Sequence, residues 1–358
     1  MLSRTFGCVR VVWNRTLAWR HQRYRTEQAK TNFTQANAYL TAMKATDDLV
    51  WLNKVSSVPL QQAVRHQQVA YTNFFAGRAR YPRYKSRGGR QSAEYTRSGF
   101  RYRDGRLTLA KTSAPLEFTW SWPDIDPAAI DPSTVTVSRD PDGRWYVSLA
   151  VDVADPGQLP VAGAAVGIDL GVKDFAVTSD GEKIPNPRHL ERKAHNLARY
   201  QRRMARCHKG SANRAKARAK VARAHRKVRA ARTDFLHKAS TRLVLDHDVI
   251  VVEDLAVRNM VRNHCLARAI SDCGWSTFRQ MVEYKAARAG RHVIVIDRWY
   301  PSSKTCSACG HLLATLSLST RHACGADVRP QGTPLRHSAV KQELPGVSPG
   351  IPVPQGRE

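Results

Sequence analysis
The chain has 358 residues, with 58 lysines and arginines against 29 acidic residues, a net charge of +29 and a pI near 10.5. A protein this basic repels itself unless a polyanion offsets the charge, and nucleic acid is the usual polyanion. No run of about 18 apolar residues and no secretory h-region is present, which argues against a membrane span or export.

Hydrophobic residues make up 42 % of the chain, enough for a real core and two or three domains. Seven cysteines are an odd count, and only Cys306 and Cys309 show metal-ligand spacing. A reducing cytoplasm is expected, with thiols free or metal-bound.

Residues 1–77 read as helical. Leu60, Val64, Tyr71 and Phe74 fall near helical spacing, Pro59 suits a first turn and Gly77 a stop. The segment fits a small bundle or a recognition region. Residues 78–106 read as a basic loop in which arginines alternate with Tyr81, Tyr84, Tyr95, Phe100 and Tyr102. That pattern suits phosphate contact with base stacking, and equally a solvated basic loop. Arg83, Lys85 and Arg87 are its candidate phosphate contacts. From 107 to 153 the chain looks β-rich. STVTVSRDPDGRWYVSLAVDV reads as a hairpin turning at Pro141-Asp142-Gly143. The basic loop and β-rich stretch together give a module over 78–160.

A second hairpin is expected over 166–183, turning at Ser179-Asp180-Gly181. Residues 188–232 then hold 17 lysines and arginines and one acid, Glu191. Frequent alanine favours helix, and Gly210 splits it into a helical hairpin. Seventeen like charges favour a polyanion partner over a merely solvated pair. Arg202, Arg203, Arg214, Lys216, Arg226 and Lys227 are candidate phosphate contacts, positioning a nucleic acid without reading bases. Strands follow at 248–255 and 292–297, with a helix between them carrying Trp275, Phe278, Val282 and Ala286 and ending at Gly290. From Ala326 on, six prolines and four glycines with little periodicity predict a disordered tail over 326–358.

Two acids stand out. Asp169 lies in the apolar strand AAVGIDLGV, and Glu253 ends VIVVE. A charge buried in such a strand needs a partner or a metal. Two strand carboxylates about 80 residues apart suit Mg²⁺ or Mn²⁺, which take oxygen ligands and support phosphodiester hydrolysis. Taken alone, each is also an ordinary solvated strand end.

The stretches VGIDLGVKDFAVTSDG, FLHKASTRLVLDHDVIVVEDL, GWSTFRQMVEYKAARAG and DRWYPSSKTCSACG resemble the transposon-encoded TnpB (OrfB) family, compact relatives of type V CRISPR effectors. FGCVRVVWN and PRYKSRGGRQS extend the likeness to roughly residues 5–325. The resemblance implies an α/β fold: an RNase H-like (RuvC) core over 161–300 with the basic insert 188–232. A helical recognition region (1–77), a β-rich wedge and a zinc ribbon complete the expected architecture. It also implies Mg²⁺-dependent, RNA-guided cleavage of DNA, with a guide RNA derived from the transposon end. Asp169 matches the first catalytic acid and Glu253 the second.

The chain departs from the family pattern after Cys306-Ser307-Ala308-Cys309. The pattern continues with a second CxxC and a DRDxNAA helix bearing the third acid. Here LLATLSLSTRHACGADVRPQG follows instead. An internal deletion of several tens of residues accounts for this, leaving a remnant zinc ribbon over 301–325. Cys306, Cys309 and Cys324, with His311 or His322, are what remains to bind Zn²⁺. Asp327 is the only nearby acid, and Pro330, Gly332 and Pro334 prevent a helix from presenting it. The start is also short of the strand with which the family usually opens. The expectation is a nucleic-acid-binding protein with impaired cleavage. The alternative is a nuclease-dead regulator or a decaying transposon remnant.

Overall fold
The computed structural model describes residues 1–154 and 157–298. The remnant ribbon and the tail, with Cys306, Cys309, Cys324 and Asp327, lie outside the described residues. The chain forms two compact units. One comprises 1–155 with 207–222, and the other 156–206 with 223 onward.

In the first unit three helices precede the strands: α1 (Leu2–Glu27), α2 (Phe33–Ala45) and α3 (Ser57–Phe75). A capping box starts α2. Asn32 Oδ1 accepts from the Gln35 N–H at 2.9 Å, and Gln35 Oε1 accepts from the Asn32 N–H at 3.1 Å. Five strands follow: β1 (Gln91–Thr96), β2 (Phe100–Arg103), β3 (Arg106–Leu109), β4 (Pro132–Arg139) and β5 (Trp145–Val151). β4 and β5 form the expected hairpin, and β1 pairs antiparallel with β4 on its other side. β2 and β3 form a separate two-stranded ribbon.

The segment 78–106 is therefore not one loop. Tyr95 is buried, and Phe100 and Tyr102 pack against the core, so these three rings serve packing rather than base stacking. Helices and strands share that core: Val12, Leu40, Leu60 and Val64 meet Tyr95, Leu107, Val135 and Val137. Residues 1–77 and 78–154 thus bury their apolar faces on each other.

The second unit is built on a five-stranded sheet. Its strands are β6 (Ala165–Leu170), β7 (Asp174–Thr178), β8 (Lys183–Pro185), β9 (Val249–Glu253) and β10 (His292–Ile296). Their order is β10-β9-β6-β7-β8. β6, β9 and β10 run parallel, while β7 and β8 continue from β6 as an antiparallel meander. The Ser179-Asp180-Gly181 turn leads into β8, a third strand too short to show in the sequence.

Between β8 and β9 come α4 (His189–Arg206) and the 35-residue α5 (Ala212–Asp246). The basic stretch forms two helices with the expected break at Gly210, and α5 runs well past it. Its second half, with Leu236 and Leu243, joins α8 (Trp275–Ala289), which follows the short helices α6 (Val257–Met260) and α7 (Ala267–Cys273), in covering one face of the sheet. There Val166, Ile168, Ile250 and Val252 are all buried, and Phe278 meets Phe175 edge-on at 5.0 Å between centroids. Burial of this face drives the unit's folding.

Candidate functional site
β6 and β9 pair in parallel from Ala165↔Val249 to Ile168↔Val252. The next residues in that register are Asp169 and Glu253. Neighbours in a parallel ladder point to the same side of the sheet, and side chains alternate along each strand. Val166, Ile168, Ile250 and Val252 take the α8 side, so both acids take the other. The fold thus brings the two acids together at the C-terminal ends of adjacent strands, although about 80 residues separate them in sequence.

Neither acid is buried as the apolar sequence context suggested. Asp169 is exposed and Glu253 half-buried. The reason is the period of two, which hands the apolar neighbours to one face and the acid to the opposite one. No hydrogen bond or ion pair holds the Asp169 carboxylate among the described residues. Gly171 shapes the turn that follows it. A Cβ there would lie 2.8 Å from the Asp174 carbonyl oxygen, so only glycine lets β6 turn back this tightly.

Asp254, next to Glu253, is committed elsewhere. Arg298 and Arg279 both donate to its carboxylate, and they hold it below the usual carboxylate range. Arg279 Nε also donates to Glu283 at 2.8 Å. Sequence reasoning missed Arg279, whose only signal was its i,i+4 spacing to Glu283. A pocket of about 270 Å³ opens here, with Leu170, Val252, Phe278, Glu253 and Arg279 in its wall. Among the described residues, no group of three or more His, Cys, Asp or Glu side chains gathers to hold a metal.

The candidate phosphate contacts divide into two sets. Arg83, Arg87, Arg202, Arg203, Lys216 and Lys227 are exposed. Lys85, Arg214 and Arg226 are half-buried. Arg214 Nη1 donates to the Cys207 carbonyl at 2.9 Å and braces the α4–α5 turn. Lys85 places its ammonium 4.2 Å from the centre of the Trp13 ring. Arg218 on α5 reaches the basic loop, where a Cβ on Gly88 would stand 2.8 Å from its Nη1. Asp272 anchors α4, accepting from the Leu190 N–H at 2.7 Å and from Arg232 Nη2 at 2.8 Å. No helix among the described residues is long and apolar enough to cross a membrane.

Three family profiles match the chain. One described as "Probable transposase" covers residues 148–264, one described as "Cas12f1-like, TNB domain" covers 275–329, and one described as "Helix-turn-helix domain" covers 1–29. A Streptomyces pristinaespiralis protein named "Putative RNA-guided DNA endonuclease" is 49 % identical over 382 aligned positions, spanning 98 % of this chain and 94 % of the relative. The aligned length exceeds the 358 residues here, so that relative holds residues with no counterpart in this chain. "Putative RNA-guided DNA endonuclease InsQ" of Escherichia coli K12 is 29 % identical, covering 87 % of this chain and 79 % of its own. Among solved structures, "Cryo-EM structure of the Cas12f1-sgRNA-target DNA complex" superposes with a TM-score of 0.52 at 13 % identity, over 87 % of this chain and 75 % of that one. At that identity the likeness is one of fold.

Proposed function
The chain belongs to the transposon-encoded TnpB (OrfB) family, and from that premise we propose that it is an RNA-guided DNA-binding protein whose cleavage step is impaired. The placement of Asp169 beside Glu253 supports the nuclease-type core, and the impairment rests on the sequence, which departs from the family pattern after Cys309. The strand order supports a RuvC-type, RNase H-like core: a three-stranded meander whose first strand is flanked by two further parallel strands.

Two carboxylates at adjacent strand ends fit a hard divalent ion, Mg²⁺ or Mn²⁺, which completes its shell with water. Such an ion, when bound, offsets phosphate charge and acidifies a bound water. Asp169 and Glu253 supply two of the three acids of the family pattern. The extra residues of the Streptomyces relative support an internal deletion here, as does the break in motif after Cys309. Any zinc held by Cys306, Cys309 and Cys324 belongs to the same reading, and metal analysis of the purified protein tests it.

The binding step depends on different residues. Exposed Arg83, Arg87, Arg202, Arg203, Lys216 and Lys227 offer charge for guide RNA and target DNA, and phosphate contact needs no carboxylate. The test is the purified full chain with RNA from the transposon end, Mg²⁺ and a matching DNA duplex. Binding without cleavage is expected. Robust cleavage that disappears in Asp169→Ala would overturn the impaired reading, and absence of any nucleic-acid binding would overturn the whole of it.

A further inference from the structure
Arg20 lies on the inner side of α1 with 5 % of its surface exposed. Its Nε and Nη2 find no hydrogen-bond acceptor. The guanidinium stands 5.1 Å from the centre of the Tyr71 ring on α3. Besides burial, which pulls its pKa down, the groups acting on it are Tyr71 and Tyr81, and no carboxylate is among them. One turn away on each helix, Thr16 Oγ1 and Gln67 Oε1 are also unpaired. Those are neutral oxygens, able to solvate a cation but not to cancel its charge. A buried charge left in that state costs several kcal/mol.

A second cation lies about two turns back along α1, at Trp13. Lys85 packs over Trp13, and burial alone depresses its pKa. Helix α1 fixes it there. Asn14 bonds both the N–H and the carbonyl of Lys85, at 2.8 and 3.0 Å, and the Trp13 indole donates to the Arg83 carbonyl at 2.9 Å. Aromatic rings stand around Arg20. The Tyr81 hydroxyl meets that of Tyr71 at 3.0 Å, and its ring is edge-on to Tyr71 and Phe74. Tyr84 is close enough to act on Tyr71. Tyr81 and Tyr84 nonetheless remain 42 % and 60 % exposed.

We propose that Arg20, with the rims of Tyr81 and Tyr84, forms a subsite for one phosphodiester group and the unpaired base beside it. The anion satisfies the idle guanidinium N–H groups and offsets the buried charge. The open rings give the base a stacking surface that tolerates any sequence. The subsite rests on the reading that this protein binds nucleic acid. The strand it takes is either guide RNA or displaced DNA, which share this chemistry.

The test measures full-length protein binding to oligo-dT and oligo-rU of about 20 nucleotides by fluorescence anisotropy over a salt series. Arg20→Met keeps the shape and removes the charge. It is expected to weaken binding about ten-fold and to flatten the log–log salt dependence by about 0.7, the contribution of one single-strand phosphate. Its Tm stays level or rises, because an uncompensated buried charge is gone. Arg20→Lys keeps the salt slope. Tyr81→Ala, at an exposed position, weakens binding roughly ten-fold with an unchanged slope. A larger loss on rU than on dT assigns the subsite to guide RNA, and the reverse assigns it to DNA. Wild-type affinity and slope in both Arg20→Met and Tyr81→Ala would overturn the subsite while leaving the family reading intact. If Arg20→Met fails to fold, wild-type affinity in Tyr81→Ala alone overturns it. No binding by the wild-type protein overturns both.

Discussion

At the N-terminal end of β9, Asp248 accepts from the Ala162 N–H at 2.9 Å, the Gly163 N–H at 2.6 Å and the guanidinium of Arg291. At the C-terminal end of the same sheet, Asp169 is exposed and its carboxylate makes no such bond among the described residues. One acid is saturated with donors and the other has none. A carboxylate that already has its donors has little capacity left for an outside cation. A carboxylate placed beside another, with no partner, can gain one only from outside. The N-terminal edge therefore braces the fold, and the C-terminal edge is where we propose that a divalent ion binds.

The largest effect expected from this contrast is on Arg291. Besides Asp248, its Nη2 donates to the Pro160 carbonyl at 2.8 Å and its Nε to the Val244 carbonyl at 3.3 Å, within a buried setting. Arg291→Met removes all three bonds, leaving the Pro160 and Val244 carbonyls without this donor and Asp248 with only its two backbone donors. A loss of about 3 kcal/mol in urea unfolding is expected, the size seen when a buried pair is broken. A loss below about 1 kcal/mol would show that this edge braces nothing, and the contrast would fail.

The second effect is a change with pH. The Ala162 N–H, then that of Gly163 and the Arg291 charge, hold the Asp248 carboxyl below its ordinary value of 3.8. A depressed carboxyl adds stability above its unfolded pKa and loses it as pH falls through the folded one. The wild-type Tm should therefore decline as pH drops below about 4. In Asp248→Asn that decline should be shallower, from a lower starting point. Equal slopes in the two proteins would mean that Asp248 is not the acid-sensitive group.

Asp248 also shows why part of this was legible in the sequence and part was not. Strands β9 and β10 were visible because runs such as VIVV have few alternatives, and Gly290 marks the end of α8 by adopting a left-handed φ of 71°. The β4–β5 hairpin was visible through its alternation and its Asp142-Gly143 turn. β1 was hidden, since only Ala93 and Tyr95 are buried among its six residues. The pairing of Asp169 with Glu253 could be suspected from composition but not placed, because register between distant strands is a tertiary property. Their burial was misjudged for a local reason. An apolar neighbourhood in sequence becomes two different neighbourhoods once the strand alternates its faces. Arg20 gave no signal, because an arginine in a helix reads as solvated until α3 covers it.

The smallest stability effect is expected at the two acids proposed to hold the ion. Asp169→Asn should change unfolding free energy by no more than about 0.5 kcal/mol, because Asp169 is exposed and gives up no partner among the described residues; Glu253→Gln removes the second carboxylate. Mg²⁺ makes this small effect readable. If the pair binds the ion with a Kd on the order of 1 mM, then about 10 mM Mg²⁺ stabilises the native state by about 1.4 kcal/mol. That is a rise of a few degrees in Tm for a unit of this size, and it should vanish in either variant. The comparison carries its own control, since Arg291→Met, destabilised at the opposite edge, should keep the Mg²⁺ increment. A loss above about 2 kcal/mol in Asp169→Asn without metal would make that acid a structural one like Asp248. A Mg²⁺ increment that survives both substitutions would put the ion elsewhere, and the C-terminal edge would lose its claim to be the site.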